Sequence, residues 1–287
     1  MRLDKCPQIS DAGLAAIEQL PQLVSLYISS CPQVSDKGLA TIGKLTQLRD
    51  LSIVDCPGVT TDGVVQLAPL TRLHKFSVDR CSQLSGSLTE LLSTMPDLEE
   101  IRMDGIKVSP KDVSQLQQLT RLKVLSLKDS GVDDESAESL SELTGLELLN
   151  LDNTAIGDEG ISHIKKLTGL KRLFLSGTRV TDRSMVDLAN LQELEGLFLS
   201  DTGITDDGLS AIRGLSKLWM LGLNNTQISG ESLPVLSEFA NMKFLLIIGT
   251  SISNTEINSL IEQNPELDVT PPPVRNATLI APTRPKP

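Results

Sequence analysis

Aromatic side chains are scarce: Phe, Trp and Tyr together make up 2% of 287 residues, with one Trp and one Tyr. A centre packed around rings is excluded, and a narrow core of Leu, Ile and Val is left. Basic residues are also in deficit, 26 Lys and Arg against 37 Asp and Glu, for a formal charge of −11. A nucleic-acid surface normally needs a basic stripe, so that partner class is disfavoured. No apolar run approaches the length of a membrane span, and no insertion in a bilayer is expected. Met1-Arg2-Leu3-Asp4 has no long apolar stretch of the signal-peptide kind, so a cytoplasmic location is expected. The two histidines, His74 and His163, have no HxxxH spacing and no serine partner pattern, and there is no GxxxxGK loop. Catalytic residues, metal ligands and cofactors are therefore expected to be absent.

What the sequence has is repetition. Leu194 to Lys217 reads LEGLFLSDTGITDDGLSAIRGLSK, and near copies begin at Leu170 and Leu146. The alternation Leu197-Phe198-Leu199 has a period of two, so a short strand puts both leucines on one face and Phe198 on the other. Thr205-Asp206 can cap a helix, with acid favourable near its positive end. Leu209, Ile212 and Leu215 then mark one face of that helix. One strand and one short helix cannot bury their apolar faces alone; stacked copies can. Units begin at Leu23, Leu48, Leu73, Leu98, Leu122, Leu146, Leu170, Leu194, Leu218 and Met242, at first 25 and then 24 residues apart.

The LxxLxL spacing resembles a leucine-rich repeat over roughly residues 1 to 270. The resemblance implies a right-handed α/β solenoid, a horseshoe with a parallel sheet on its concave face, short helices on its convex face and about twelve strands. The early Cys-Pro-x-Val-[Ser/Thr]-Asp-x-Gly-Leu register is similar to the cysteine-containing repeats of F-box proteins. The later Thr-x-Ile-x-Asp-x-Gly-Leu register is similar to bacterial repeats, those of planctomycetes especially. Both imply protein–protein interaction, although no F-box segment is present. Residues 271–287 hold six prolines and no acid, and read as a flexible tail.

A ladder position follows each strand. It is Cys6, Cys31, Cys56 and Cys81 in the first units, then Ser130, Thr154, Thr178, Thr202, Thr226 and Thr250. A straight file of thiols does not converge on a metal, so reduced, buried, structural cysteines are expected. Ile106 breaks the file and marks a seam that should leave loop carbonyls without a partner. The glycines Gly160 and Gly208 read as turn residues, and Asp158 and Asp206 as capping residues.

The outward strand positions carry the functional expectation. In the first half they are polar, with Asp79, Asp104 and Asp152 just beyond. Lys75, Arg80, Arg102 and Lys128 are interleaved, so mutual neutralisation is favoured over a calcium site. In the second half they are apolar: Leu148, Phe174, Phe198, Met220 and Phe244. Outward positions should be polar, and contiguous exposed apolar surface marks an interaction site. These five residues, with Arg172 at the edge and Arg102, are the candidate partner-binding set. Gly196 and Gly222 are expected to leave notches for a partner's side chains. Covering of the last coil by the tail or by a second copy is the competing reading. The chain reads as a non-catalytic scaffold for a protein or peptide. Because Leu3 already stands in the strand register, a recognition module with an adaptor or catalytic domain upstream is the second reading. Oligomeric state is left open.

Overall fold

A computed structural model describes residues 1–269; the expected proline-rich tail lies outside the described residues. Twelve strands form one sheet in chain order, every neighbouring pair parallel. They are β1 Arg2–Asp4, β2 Ser25–Ser29, β3 Asp50–Val54, β4 Lys75–Ser77, β5 Glu100–Arg102, β6 Val124–Ser126, β7 Leu148–Asn150, β8 Arg172–Phe174, β9 Gly196–Phe198, β10 Met220–Gly222, β11 Phe244–Leu246 and β12 Asp268–Val269. Short α- or 3-10 helices join them. Register repeats faithfully: Leu149, Leu173, Leu197 and Leu221 pair in succession. All point into one continuous core, where Leu194, Leu197, Leu199, Leu209 and Ile212 are fully buried. Strands lie about 4.8 Å apart whereas packed helices want about 8–10 Å, so such a stack bends toward its sheet.

Strands β1 to β11 each end in a backbone reversal that the leucine pattern does not announce. Lys5, Ser30, Asp55, Arg80, Asp129, Asn153, Asp201 and Asn225 have φ between 50° and 57°; Gly105, Gly177 and Gly249 do the same in the other coils. This left-handed region suits Gly, Asn and Asp, which accounts for eight of these eleven residues; Lys5, Ser30 and Arg80 are the exceptions. The reversed residue points its N–H at the next coil: Asp129 N–H reaches the Asp152 carbonyl at 2.9 Å and Asp201 N–H the Asn224 carbonyl at 2.8 Å.

The ladder then closes the turn. Thr154, Thr178, Thr202, Thr226 and Thr250 each donate a hydroxyl, at 2.5–2.8 Å, to the carbonyl three residues back. Ser130 differs: its oxygen accepts from the Val132 N–H at 3.4 Å. Cys31 and Cys56 donate weakly to the Ser29 and Val54 carbonyls at 3.3 and 3.4 Å, and Cys81 reaches back to the Ile53 carbonyl at 3.5 Å. All four cysteines are free thiols, but Cys6 is only half-buried because its coil has a neighbour on one side. Burial pushes the Cys56 thiol up and that of Cys81 up to about 12, so neither ionises near neutral pH.

Ile106 corrects the expected gap. Its side chain is buried, and its own N–H donates to the Met103 carbonyl at 3.1 Å, so that carbonyl has a partner without a hydroxyl.

The Asp before each helical glycine has a role between coils. Asp158 accepts the Thr181 N–H at 2.9 Å, the Thr181 hydroxyl at 2.7 Å and the Ser184 hydroxyl. Asp182 grips Thr205, and Asp206 grips Ser229, through the same N–H and hydroxyl pair. Asp36 does so for Thr60 in the cysteine coils. Each Asp thus holds the N-cap residue of the following coil's helix as well as lying in its own. Gly208, expected at a turn, sits within the helix Asp206–Ala211. A Cβ there would stand 2.1 Å from the Asp182 carboxylate, and at Gly160 it would stand 2.6 Å from that of Asp134. The glycine makes room for the clamp; where Ser184 or Ser232 stands instead, its hydroxyl joins it. Two clamp positions are themselves glycine, Gly86 and Gly230. The next helices, starting after Ser109 and Ser253, supply their own capping boxes with Asp112 and Glu256.

Candidate functional site: the open face of the sheet

The open face carries two rows of side chains, from the first and third residues of the short strands. In the first half these rows are polar and paired. Glu100 takes Arg102 at 2.7 Å and Lys75 at 3.0 Å. Burial works against the Glu100 carboxylate, but the two cations outweigh it and hold it below the ordinary range. Arg102 is therefore engaged within its own face.

Asp79, Asp104 and Asp152 form no ion pair with Arg80 or Lys128 among the described residues, although the Lys128 charge favours the ionised form of Asp152. They bridge coils instead. Asp79 accepts the Ser77 hydroxyl at 2.8 Å and the Asp104 N–H at 3.1 Å. Asp104 accepts the Ser126 hydroxyl at 2.5 Å and the Lys128 N–H at 3.2 Å, and Asp152 accepts the Ser176 N–H at 2.8 Å. Burial pushes Asp104 up, and Asp152 up to about 6, against those hydrogen bonds. Ser200 and Asn224 continue the row in neutral form, accepting the Asn224 and Ile248 N–H groups.

In the second half the rows are apolar, as expected, but less open. Phe174 is 3% exposed and Met220 6%. Phe174 and Phe198 stack with centroids 4.4 Å apart and planes within 1°. Phe198 also fills both glycine notches: a Cβ at Gly222 would stand 2.9 Å from its ring and one at Gly196 3.4 Å. The glycines therefore seat this chain's own ring, not a partner's. Phe174 and Met220 support the face from below, while Phe198, Phe244 and Leu246 are half-exposed and Ile248 is 37% exposed. Leu148 and Arg172, adjacent by register, border this area half-buried, and Arg172 forms no ion pair among the described residues.

Two residues were not singled out from sequence. Trp219, one residue before β10, is buried with its ring edge-on to Phe244 at 5.8 Å and its Nε1–H directed at Glu195 at 3.4 Å. It falls in a row that otherwise alternates in charge, where Glu99 meets Lys123 and Glu147 meets Lys171. A break in that alternation was the available signal. Asn150 is fully buried beside Phe174; its Oδ1 accepts the Asp152 N–H at 2.9 Å, and its NH2 has no partner among the described residues.

His74 and His163 are half-buried in separate coils. Among the described residues no group of His, Cys, Asp and Glu converges as metal ligands would, and no helix is long and apolar enough to cross a membrane.

The family model described as Leucine Rich repeat matches residues 191–212, the coil that holds Phe198. An internalin from Listeria monocytogenes superposes with a TM-score of 0.66 at 24% identity, over 89% of this chain and 75% of that one. The fold is that of a leucine-rich-repeat solenoid. Two further structural neighbours were solved as complexes. The plant peptide hormone receptor RGFR1, in complex with RGF2, gives a TM-score of 0.53 at 14% identity, over 87% of this chain and 43% of that. TLR13, in complex with ssRNA13, gives 0.59 at 22%, over 88% and 39%. No curated protein matches the sequence.

Proposed function

We propose that this leucine-rich-repeat solenoid is a non-catalytic scaffold that binds a protein or peptide on the aromatic half of its open sheet face. The observation that carries the reading is Phe198. It is held rigidly by Phe174 on one side and by the two glycines below, yet it stays half-exposed among Phe244, Leu246 and Ile248. A rigid aromatic loses little entropy on binding and contributes about 150–250 Å² of contact area, which suits a hot spot. Arg172 at the border, without an ion pair among the described residues, suits a partner carboxylate.

Solved neighbours take a peptide hormone in one case and single-stranded RNA in another. The fold by itself therefore does not exclude nucleic acid, and the formal charge of −11 is the argument against it here. The test is affinity capture from the source cell, comparing the wild-type chain with Phe198→Asp and Phe244→Asp. A protein held by the wild type and lost by both variants, with melting temperatures close to wild type, supports the site. Retention by both variants excludes it.

A further inference from the structure

Most cations on the open face are paired within it. Arg2 meets Asp4, and Lys75 and Arg102 both meet Glu100. Lys128, two residues past β6, and Arg172 on β8 are different: their side chains form no hydrogen bond or ion pair among the described residues. Between them, on β7, stands Asn150. Register places the three on one diagonal. Asn150 pairs with Ser126, two residues before Lys128, and Arg172 pairs with Leu148, two residues before Asn150. Each step is one strand across and two residues along, about 8 Å at sheet spacing.

The middle residue is the unusual one. A row of acceptors runs along this face, each holding the N–H of the next coil: Asp79 that of Asp104, and Asp104 that of Lys128. Lys128 interrupts the row, because an ammonium group accepts nothing. The Asp152 N–H is taken instead by Asn150 Oδ1, from its own strand, at 2.9 Å. The row then resumes, with Asp152 accepting the Ser176 N–H. The bond to Asp152 fixes which end of the Asn150 amide is the oxygen. The NH2 end has no partner among the described residues, at a residue 0% exposed. A buried donor without an acceptor costs about 1–3 kcal/mol, and an acceptor supplied by a ligand removes that cost.

We propose that the partner segment held by the aromatic half is an extended peptide with an aspartate or glutamate seated on this diagonal, its carboxylate lying between Arg172 and Lys128 and accepting from the Asn150 amide. The proposal rests on the reading of the aromatic half as a docking surface and adds the chemistry of what docks there. A carboxylate has two oxygens that accept from several donors at once, and its plane matches a guanidinium. Seating it requires the side chains that enclose Asn150 to part. Asn150 and Phe198 stand two strands apart, about 10 Å. A peptide crossing the strands at about 3.3 Å per residue therefore carries its acid about three residues from the apolar side chain that covers Phe198. Single-stranded nucleic acid also offers anions, but one at every nucleotide, and Glu100, Asp104 and Asp152 on the same face oppose such a run.

The test uses the full chain and a phage-displayed library of short random peptides. Peptides enriched on the wild type should carry an acid about three residues from an aromatic or aliphatic residue. A synthetic copy of the most enriched peptide should bind about tenfold more weakly, or worse, to Arg172→Gln. Changing the peptide's own acid to the amide should weaken it as much, and the two losses should not add, because each removes the same contact. Asn150→Asp keeps the oxygen that holds the Asp152 N–H, removes both donors and should also weaken binding. Enriched peptides that are apolar without an acid, or losses that add as independent changes do, overturn the proposal and leave the docking surface standing. If acid-bearing peptides are weakened by Arg172→Gln but not by Phe198→Asp, the diagonal stands and the aromatic docking surface is wrong. If no peptide is enriched, both are wrong; an oligouridine probe that then binds the wild type and not Arg172→Gln replaces the peptide with single-stranded nucleic acid.

Discussion

The cysteine coils and the threonine coils share one core and one clamp between coils but differ on the open face of the sheet and in how the turns are closed. Near the start, the open face is polar and self-paired through Lys75, Glu100 and Arg102. Near the end, it is apolar and incompletely covered, with Phe198 and Phe244 half-exposed. The turns differ as well. In the early coils the Cys31 and Cys56 thiols close the reversal at 3.3 and 3.4 Å while Cys81 reaches back to the preceding coil; in the later ones a threonine hydroxyl does so at 2.5–2.8 Å. The fold is thus set by what the two halves have in common, and the binding reading by what they do not.

The largest effect should come from separating fold from face within one strand. Leu197→Ala empties a fully buried site and should cost about 2–5 kcal/mol in urea denaturation. Phe198→Ala loses a stacked neighbour and part of its own burial, for which about 1–2 kcal/mol is expected. If Phe198→Ala unfolds the chain as readily as Leu197→Ala, the ring is core and the contrast between the halves has no functional content.

The clamp between coils comes next. Asp158→Ala leaves the Thr181 N–H and two hydroxyls without their acceptor, a loss of about 1–3 kcal/mol if water does not replace it. The same logic applies to Asp36 in the cysteine half. Asp62 stands exposed in the first turn of its helix and grips no other coil among the described residues, so Asp62→Ala should not reproduce this loss. An equal loss at all three positions would show that the effect is helix propensity and not the grip on the next coil.

The clamp carboxylates and Asp152 on the sheet respond oppositely to acid. Burial works against ionisation of Asp158, but hydrogen bonds from Ser184 and Thr181 outweigh it and lower its pKa; Asp206 is lowered in the same way through Ser229 and Ser232. The stability these groups add is fully present above the unfolded value of about 3.9 and is lost as pH falls through the lower folded value. Asp152 on the sheet is raised by burial to about 6. Its charge costs stability above that pH, and the cost is relieved as pH falls from about 6 toward about 4. Asp152→Asn keeps an acceptor for the Ser176 N–H and should flatten the pH 4–6 part of the stability curve. An unchanged curve would mean that Asp152 stays solvated in solution.

Much of the fold was legible in the leucines because their spacing is the packing itself. Leu194, Leu197 and Leu199 fix strand and core, and the 24-residue step fixes the register of β8 to β11. The candidate site was legible only to the extent that outward positions can be named. Whether Phe174 is open depends on Phe198, one coil away, lying flat against it, and on Gly222, two coils away, leaving room. Such lateral relations cross the repeat and have no period along the chain. Gly208 was misplaced for the same reason, since its cause is the Asp182 carboxylate of the preceding coil.

The smallest effect tests whether the turn chemistry of the two halves is equivalent. Thr202→Val keeps shape and removes the hydroxyl that reaches the Leu199 carbonyl at 2.5 Å; about 1 kcal/mol should be lost. Ile106→Thr is the converse experiment at the junction. It adds a hydroxyl in reach of the Met103 carbonyl but takes buried hydrocarbon from a site that is 1% exposed. That carbonyl already accepts the Ile106 N–H at 3.1 Å, so the new bond meets no unsatisfied group, and the apolar loss of about 1 kcal/mol should roughly cancel it. Near-neutrality at 106 together with a clear loss at 202 would show that the junction is a complete turn of a third kind. A gain of stability at 106 comparable to the loss at 202 would show that the junction does lack a partner, and that the apolar ladder position is a defect between the two halves.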